Sequence, residues 1–143
     1  MSFSDLEEAL KRNDMDRIWC AAQGFLVAAA NVSKLLWGSG QSEPDGRKAL
    51  RQTLGVPDES PLASRTMRNH FEHFDERLES WVESSTGMFV DSNVMSGRPI
   101  GGVPSEAYLR NLDKRQWTLT FAGETYHLTP VVYALRELTA GRR

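Results

Sequence analysis

Apolar residues recur at helical spacing over two long stretches of this chain and give way to strict alternation only near its end. Ile18, Ala22, Phe25, Ala29, Val32 and Leu36 follow one another at intervals of 4, 3, 4, 3 and 4, which places them on one stripe of a helix. That helix starts at about Asp14 or Asp16 and is ended by Trp37-Gly38-Ser39-Gly40. A second stripe, Met67, Phe71, Phe74, Leu78 and Trp81, has intervals of 4, 3, 4 and 3. Ser60 followed by Pro61 reads as its N-cap, and the Ser84 to Gly87 cluster closes it, giving a helix over roughly 61–82. Three shorter helices complete the reading. One covers Asp5 to Arg12 behind a Ser4/Glu7 capping box. Another covers Arg47 to Leu54 and is stopped by Gly55 and Pro57. The last runs from Thr129-Pro130 to about Thr139.

Beyond Gly87 the texture changes. Met88-Phe89-Val90 suits a strand, and Ser96 to Pro104, with three glycines and two prolines, reads as an irregular loop. Trp117 to Phe121 and Glu124 to Leu128 alternate apolar and polar residues around Ala122-Gly123, the pattern of a β-hairpin with a two-residue turn. Tyr108 to Leu112 adds a third strand across Asp113-Lys114-Arg115. The expectation is a mainly α fold: a bundle of four to five helices with a small antiparallel sheet or hairpin inserted before the C-terminal helix. The long helices, about 14–37 and 61–82, are expected to pair antiparallel at its centre. Residues 1–143 would form one domain, with 88–128 as an elaboration.

Composition narrows the class. With 143 residues the chain has the length of one domain, and 40% hydrophobic with 25% charged residues is ordinary for a globular protein. Its single cysteine, Cys20, has no partner for a disulfide or a thiolate metal site, and its place in an apolar segment suggests a buried small hydrophobe. No uninterrupted apolar run approaches the roughly 18 to 20 residues of a membrane span, and the first residues lack the pattern of a secretion signal. A cytoplasmic protein away from membranes is expected. The net charge of −2 argues against broad coating of nucleic acid. A local phosphate site remains open, because thirteen of the seventeen basic residues are arginines and a few in one cleft suffice.

One hexapeptide groups polar residues as chemistry requires: Arg68-Asn69-His70-Phe71-Glu72-His73, within the second long stripe. At about 100° per residue, Arg68 and His73 fall on either side of the core stripe and Asn69 nearly opposite it, so all three share the outward face. His70 lies beside the stripe. The same composition suits an ordinary solvated face, with Arg68 and Glu72 as an i, i+4 ion pair.

This run resembles the R-x4-6-H motif of the HEPN superfamily, small helical-bundle proteins. Asn69 occupies the polar position that follows the arginine, and four residues separate Arg68 from His73. The resemblance covers about residues 14–82; the hairpin half lies beyond it. It implies a homodimer in which two copies of the motif helix meet and form a metal-independent endoribonuclease site that needs no cofactor. His73 would be the acid/base group, Arg68 the phosphate clamp, and Asn69 the residue that orients the histidine or the scissile phosphate. Relatives of this kind act as toxins or antiviral effectors, which implies RNA as substrate and an antitoxin protein as partner. Others are non-catalytic and serve as interaction or nucleotide-binding modules, so that alternative stays open.

Other chemistries have less behind them. His70 and His73 are three residues apart, with Glu72 and Glu76 nearby, but their directions on the wheel converge only in part, and no metal site is assigned. His127 lies on the expected hairpin with no defined relation to them. No Gly-x-Ser-x-Gly, Walker or dinucleotide pattern is present.

Overall fold

The computed structural model describes residues 2–38, 46–66, 74–84, 87–95 and 103–140. The chain is mainly helical, with a four-stranded mixed sheet ahead of its C-terminal helix. It divides into two compact units, one of Met1–Phe71 with Val131–Arg143 and one of Glu72–Pro130.

In the helical unit, α1 spans Phe3–Arg12. Its cap is Ser2 rather than the expected Ser4: the Ser2 amide donates to the Asp5 carboxylate at 2.5 Å and the Ser2 hydroxyl donates to the same oxygen at 3.0 Å. Both serines have an acidic residue three positions on. The earlier start wins because it brings Phe3 into the helix, and the Phe3 ring packs edge-on against Phe25 at 5.6 Å. Asn13, in the left-handed region at φ 53°, ends α1. Asp14 immediately caps α2, its side chain accepting from the Arg17 amide.

Helix α2, Met15–Trp37, supplies most of this unit's core. Ile18, Ala22, Phe25, Ala29 and Leu36 of the expected stripe are buried; Val32 is half-buried, and Trp19, Ala21, Leu26, Ala30 and Ser33 widen the buried face. Cys20 is exposed, contrary to expectation. It is two residues from both Ile18 and Ala22, and at about 100° per residue that carries it across the helix axis. Although α2 contains no long unbroken apolar run, its 23 residues include an 18-residue window with mean hydropathy 1.2, long and apolar enough to cross a membrane. Half of that window is buried within the protein, as in the core helix of a globular unit.

Helix α3, Arg47–Thr53, lies against α2 and is followed by Gly55 at φ 67°. The expected long helix from Pro61 begins differently. Ser60 caps only a short 3-10 turn, Pro61–Ala63, and Ser64 then has extended backbone before residues 65–66 turn helical. A tertiary bond accounts for the interruption: the buried Ser33 hydroxyl of α2 donates to the Leu62 carbonyl, drawing the turn onto α2 with Leu62 buried.

The sheet unit starts with α4, Phe74–Ser84, in which Trp81 is buried and Leu78 half-buried. Strands β1 (Val90–Met95), β2 (Tyr108–Asp113), β3 (Thr118–Phe121) and β4 (Glu124–His127) lie side by side in that order. The hairpin β3–β4 forms as its alternation predicts. Ala122 at φ 46° and Gly123 at φ 82° make the two-residue turn, a conformation that glycine accepts without Cβ strain. The third strand pairs antiparallel with β3, also as predicted. The difference is β1, which starts at Val90 and pairs parallel to β2, so the sheet is mixed rather than antiparallel. A parallel neighbour needs a long return connection rather than a tight turn, and twelve residues separate Met95 from Tyr108. Register aligns Val94, Leu112, Leu119 and Tyr126 on one face, and Asn93, Asn111, Thr120 and Thr125 on the other. The first row is the apolar side of the unit. The second is polar and internally hydrogen-bonded, with Asn93 donating to Asn111 at 2.9 Å and the Thr120 and Thr125 hydroxyls 3.0 Å apart. Helix α5, Leu128–Ala140, leaves β4 without a linker; its first residues, with the buried Leu128, belong to this unit, whereas Val131 and Val132, also buried, belong to the helical one.

Candidate functional site

Arg68, Asn69 and His73 lie outside the described residues, as do His70, Met67 and Phe71. The described chain reaches them from both sides as helix, at residues 65–66 and again from Phe74.

C-terminal to the hexapeptide in sequence, Arg77 belongs to a charged cluster that joins α4 to the β3–β4 hairpin. Arg77 forms an ion pair with the Glu124 carboxylate through Oε1, and the Tyr126 hydroxyl donates to Oε2 of the same group at 2.7 Å. Glu124 and Tyr126 are brought onto one side of β4 by the two-residue period of the strand. Gly123 and Ala122 turn the chain so that β4 lies beside β3. The Arg77 and Glu124 side chains are 22% and 36% exposed, so solvent screens the pair in part. The bond to Glu124 holds the Arg77 guanidinium above its ordinary range, outweighing the desolvation that opposes it. Burial raises the Tyr126 hydroxyl well above the usual tyrosine range, and its bond to the Glu124 carboxylate raises it further. Arg77 is charged and Tyr126 neutral at neutral pH in any case, so both act as donors there, and the shifts move their titration farther from that range. They suit a fastening between elements and leave neither group poised for proton transfer.

Farther along α4, the Trp81 indole donates to the Glu106 carbonyl at 2.7 Å, and its ring meets Phe89 edge-on at 5.3 Å. His127 is exposed at the end of β4, opposite Thr118 in the register. Tyr108 is 2% exposed, and its hydroxyl finds no hydrogen-bond partner among the described residues.

In the helical unit, a groove of about 500 Å³ between α1 and α2 is lined by Asp5, Glu8, Ala9, Arg17, Cys20 and Ala21. Its charged groups already have neighbours: Asp5 is bonded to Ser2, Glu8 to Arg12 at 2.9 Å, and Arg17 to Asp14 at 3.5 Å. The bonds from Ser2, backbone first and then hydroxyl, hold the Asp5 carboxyl below its ordinary range. Among the described residues, no three histidine, cysteine or acidic side chains stand close enough together to hold a metal ion.

No family model, curated protein or solved structure matches this chain.

Sequence reasoning missed the Arg77, Glu124 and Tyr126 cluster. Half of it was legible, since residues 124 and 126 must share a face of the predicted strand. Its other half depends on α4 lying beside the hairpin, which no local pattern encodes.

Proposed function

We propose that this chain is an HEPN-like, metal-independent endoribonuclease, built on a bundle of four to five helices and acting in the cytoplasm as a homodimer. The observation that carries the reading is the sequence Arg68-Asn69 followed by His73, flanked on both sides by helical residues. Each chain contributes one such histidine, and cleavage needs both a base and an acid, which is the reason for a composite site. One His73 takes the proton from the 2′-hydroxyl as its oxygen bonds to phosphorus. The other gives a proton to the 5′-oxygen as that bond breaks, leaving a 2′,3′-cyclic phosphate. An imidazole with a pKa near 6.5 exists in both forms at neutral pH. Arg68 neutralises the charge that builds on the phosphoryl oxygens through its planar donor fork, and Asn69 orients the reacting groups. A toxin or defence role, with an antitoxin protein as partner, follows from the same resemblance.

The test is cleavage of single-stranded RNA in the presence of EDTA. The expected products carry 2′,3′-cyclic phosphate ends, and His73→Ala should abolish cutting while leaving the melting temperature nearly unchanged. RNA that stays intact at high protein concentration, or cutting that survives His73→Ala, overturns the reading. Intact RNA together with a stable dimer would instead support a non-catalytic interaction or nucleotide-binding module.

A further inference from the structure

We infer that the outward face of α2 is a docking surface for a second copy of this chain, with the two α2 helices lying antiparallel. The inference goes beyond the endoribonuclease reading and does not depend on it, since the hexapeptide is not part of α2. A helix that turns one side to water normally carries charge there. Charged residues recur through α1, α3 and α4. In α2 none stands between Arg17 and Lys34, although the side away from the core is exposed. Along that side Asp16, Cys20, Gln23, Val27, Asn31 and Lys34 follow one another at intervals of 4, 3, 4, 4 and 3. At about 100° per residue they fall within an arc of about 80°, opposite Ile18, Phe25 and Leu36 of the buried stripe. Lys34 is half-buried and the other five are exposed, Val27 by 38%. This spacing is that of a seam between two helices.

The order of residues along the seam selects its occupant. Asp16 and Lys34 stand at its two ends, about 27 Å apart at 1.5 Å per residue. A second α2 laid antiparallel brings Asp16 of each chain to Lys34 of the other, Cys20 to Asn31, and Gln23 to Val27. A parallel pair would set aspartate against aspartate and lysine against lysine. Lys34 also interacts within its own chain, and a surface ion pair adds little affinity, so the charges fix the direction while the uncharged centre supplies the contact. A lipid bilayer suits the face less well despite the hydropathy of α2, because Gln23 and Asn31 would enter it without hydrogen-bond partners. Between two helices each amide can reach the neighbouring chain.

The experiment is sedimentation equilibrium of the full chain, of Val27→Glu and of Asn31→Cys. The unmodified protein is expected to dimerise at micromolar concentration. Val27→Glu, which puts a charge at the centre of the seam, should raise the dimer Kd by about a hundredfold or more with an unchanged circular dichroism spectrum. Asn31→Cys sets a thiol level with Cys20 of the second copy and should give a covalent dimer on oxidation with diamide. Neither the unmodified protein nor Asn31→Cys with Cys20→Ser should do so, because like positions then lie about 16 Å apart along the antiparallel axis. A dimer that survives Val27→Glu, or Asn31→Cys that stays uncrosslinked, overturns this inference and leaves the composite-site reading standing. A protein that is monomeric at high micromolar concentration also overturns it, and sedimentation of that monomer with phosphatidylcholine vesicles would assign the face to a membrane. Cleavage of RNA in EDTA remains the separate measure of the endoribonuclease reading.

Discussion

The two units each use a buried or half-buried arginine, and they use it for opposite purposes. In the helical unit, Arg51 is 2% exposed and closes the C-terminal end of α2. It donates to the Leu36 carbonyl at 2.8 Å and pairs with Asp58 at 2.7 Å, and its guanidinium stacks over the Trp37 ring at 5.0 Å. That carbonyl belongs to the last turn of α2, where no intrahelical donor remains and the helix dipole favours a cation. In the sheet unit, Arg77 closes nothing. It ties a helix to a hairpin through a carboxylate that a tyrosine also holds. A unit with a continuous apolar stripe spends its buried charge on finishing secondary structure. A unit of short strands needs charge to set the relation between its elements.

This contrast can be broken at several points. The largest effect is expected from Ile18→Ala, which empties a fully buried position of the α2 stripe and should cost about 3 to 4 kcal/mol in urea unfolding followed by circular dichroism. A loss below about 1 kcal/mol would mean that the helical unit does not depend on this stripe. Arg51→Ala comes next, at about 2 kcal/mol. The Asp58 side chain is 62% exposed and keeps its hydration, so the loss falls on the Leu36 carbonyl and the Trp37 stack. Urea unfolding followed by circular dichroism would report it, and an unchanged midpoint would refute the helix-closing role. The smallest effect concerns pH. Tyr126 has a folded pKa raised above its unfolded value near 10, so its contribution is complete below about pH 10 and is lost as pH rises toward the folded value. Tyr126→Phe should be slightly less stable than the parent at pH 8, and the gap should narrow above about pH 10. A constant gap would show that burial does not hold this proton.

Much of the secondary structure was legible because its signals are local. The stripe from Ile18 to Leu36 shows the helix face that must be buried, and the alternation around Ala122-Gly123 defines both the hairpin and its turn. The misses have physical causes. Ser2 and Ser4 both satisfy the capping pattern, and the Phe3–Phe25 contact, which favours the earlier start, is tertiary. The helix expected at Pro61 is delayed because Ser33, distant in sequence, takes the Leu62 carbonyl. Arg51 looks like any surface arginine in a short helix, since its burial depends on where Leu36, Trp37 and Asp58 come together. Of the candidate site, the hexapeptide was legible as a motif, whereas the Arg77 link became visible only when α4 and the hairpin were seen side by side.

The order of side chains alone determined which faces of α2 and of the β3–β4 hairpin turn inward, because burial of apolar groups acts at the period of each backbone. It also determined where the chain turns at Gly123, since few residues accept that backbone conformation. Tertiary structure decided the parallel pairing of β1, the choice between competing caps, and which charged side chains lose their water. Those outcomes depend on contacts between residues far apart in the chain, and their free energy exists only once the elements have met.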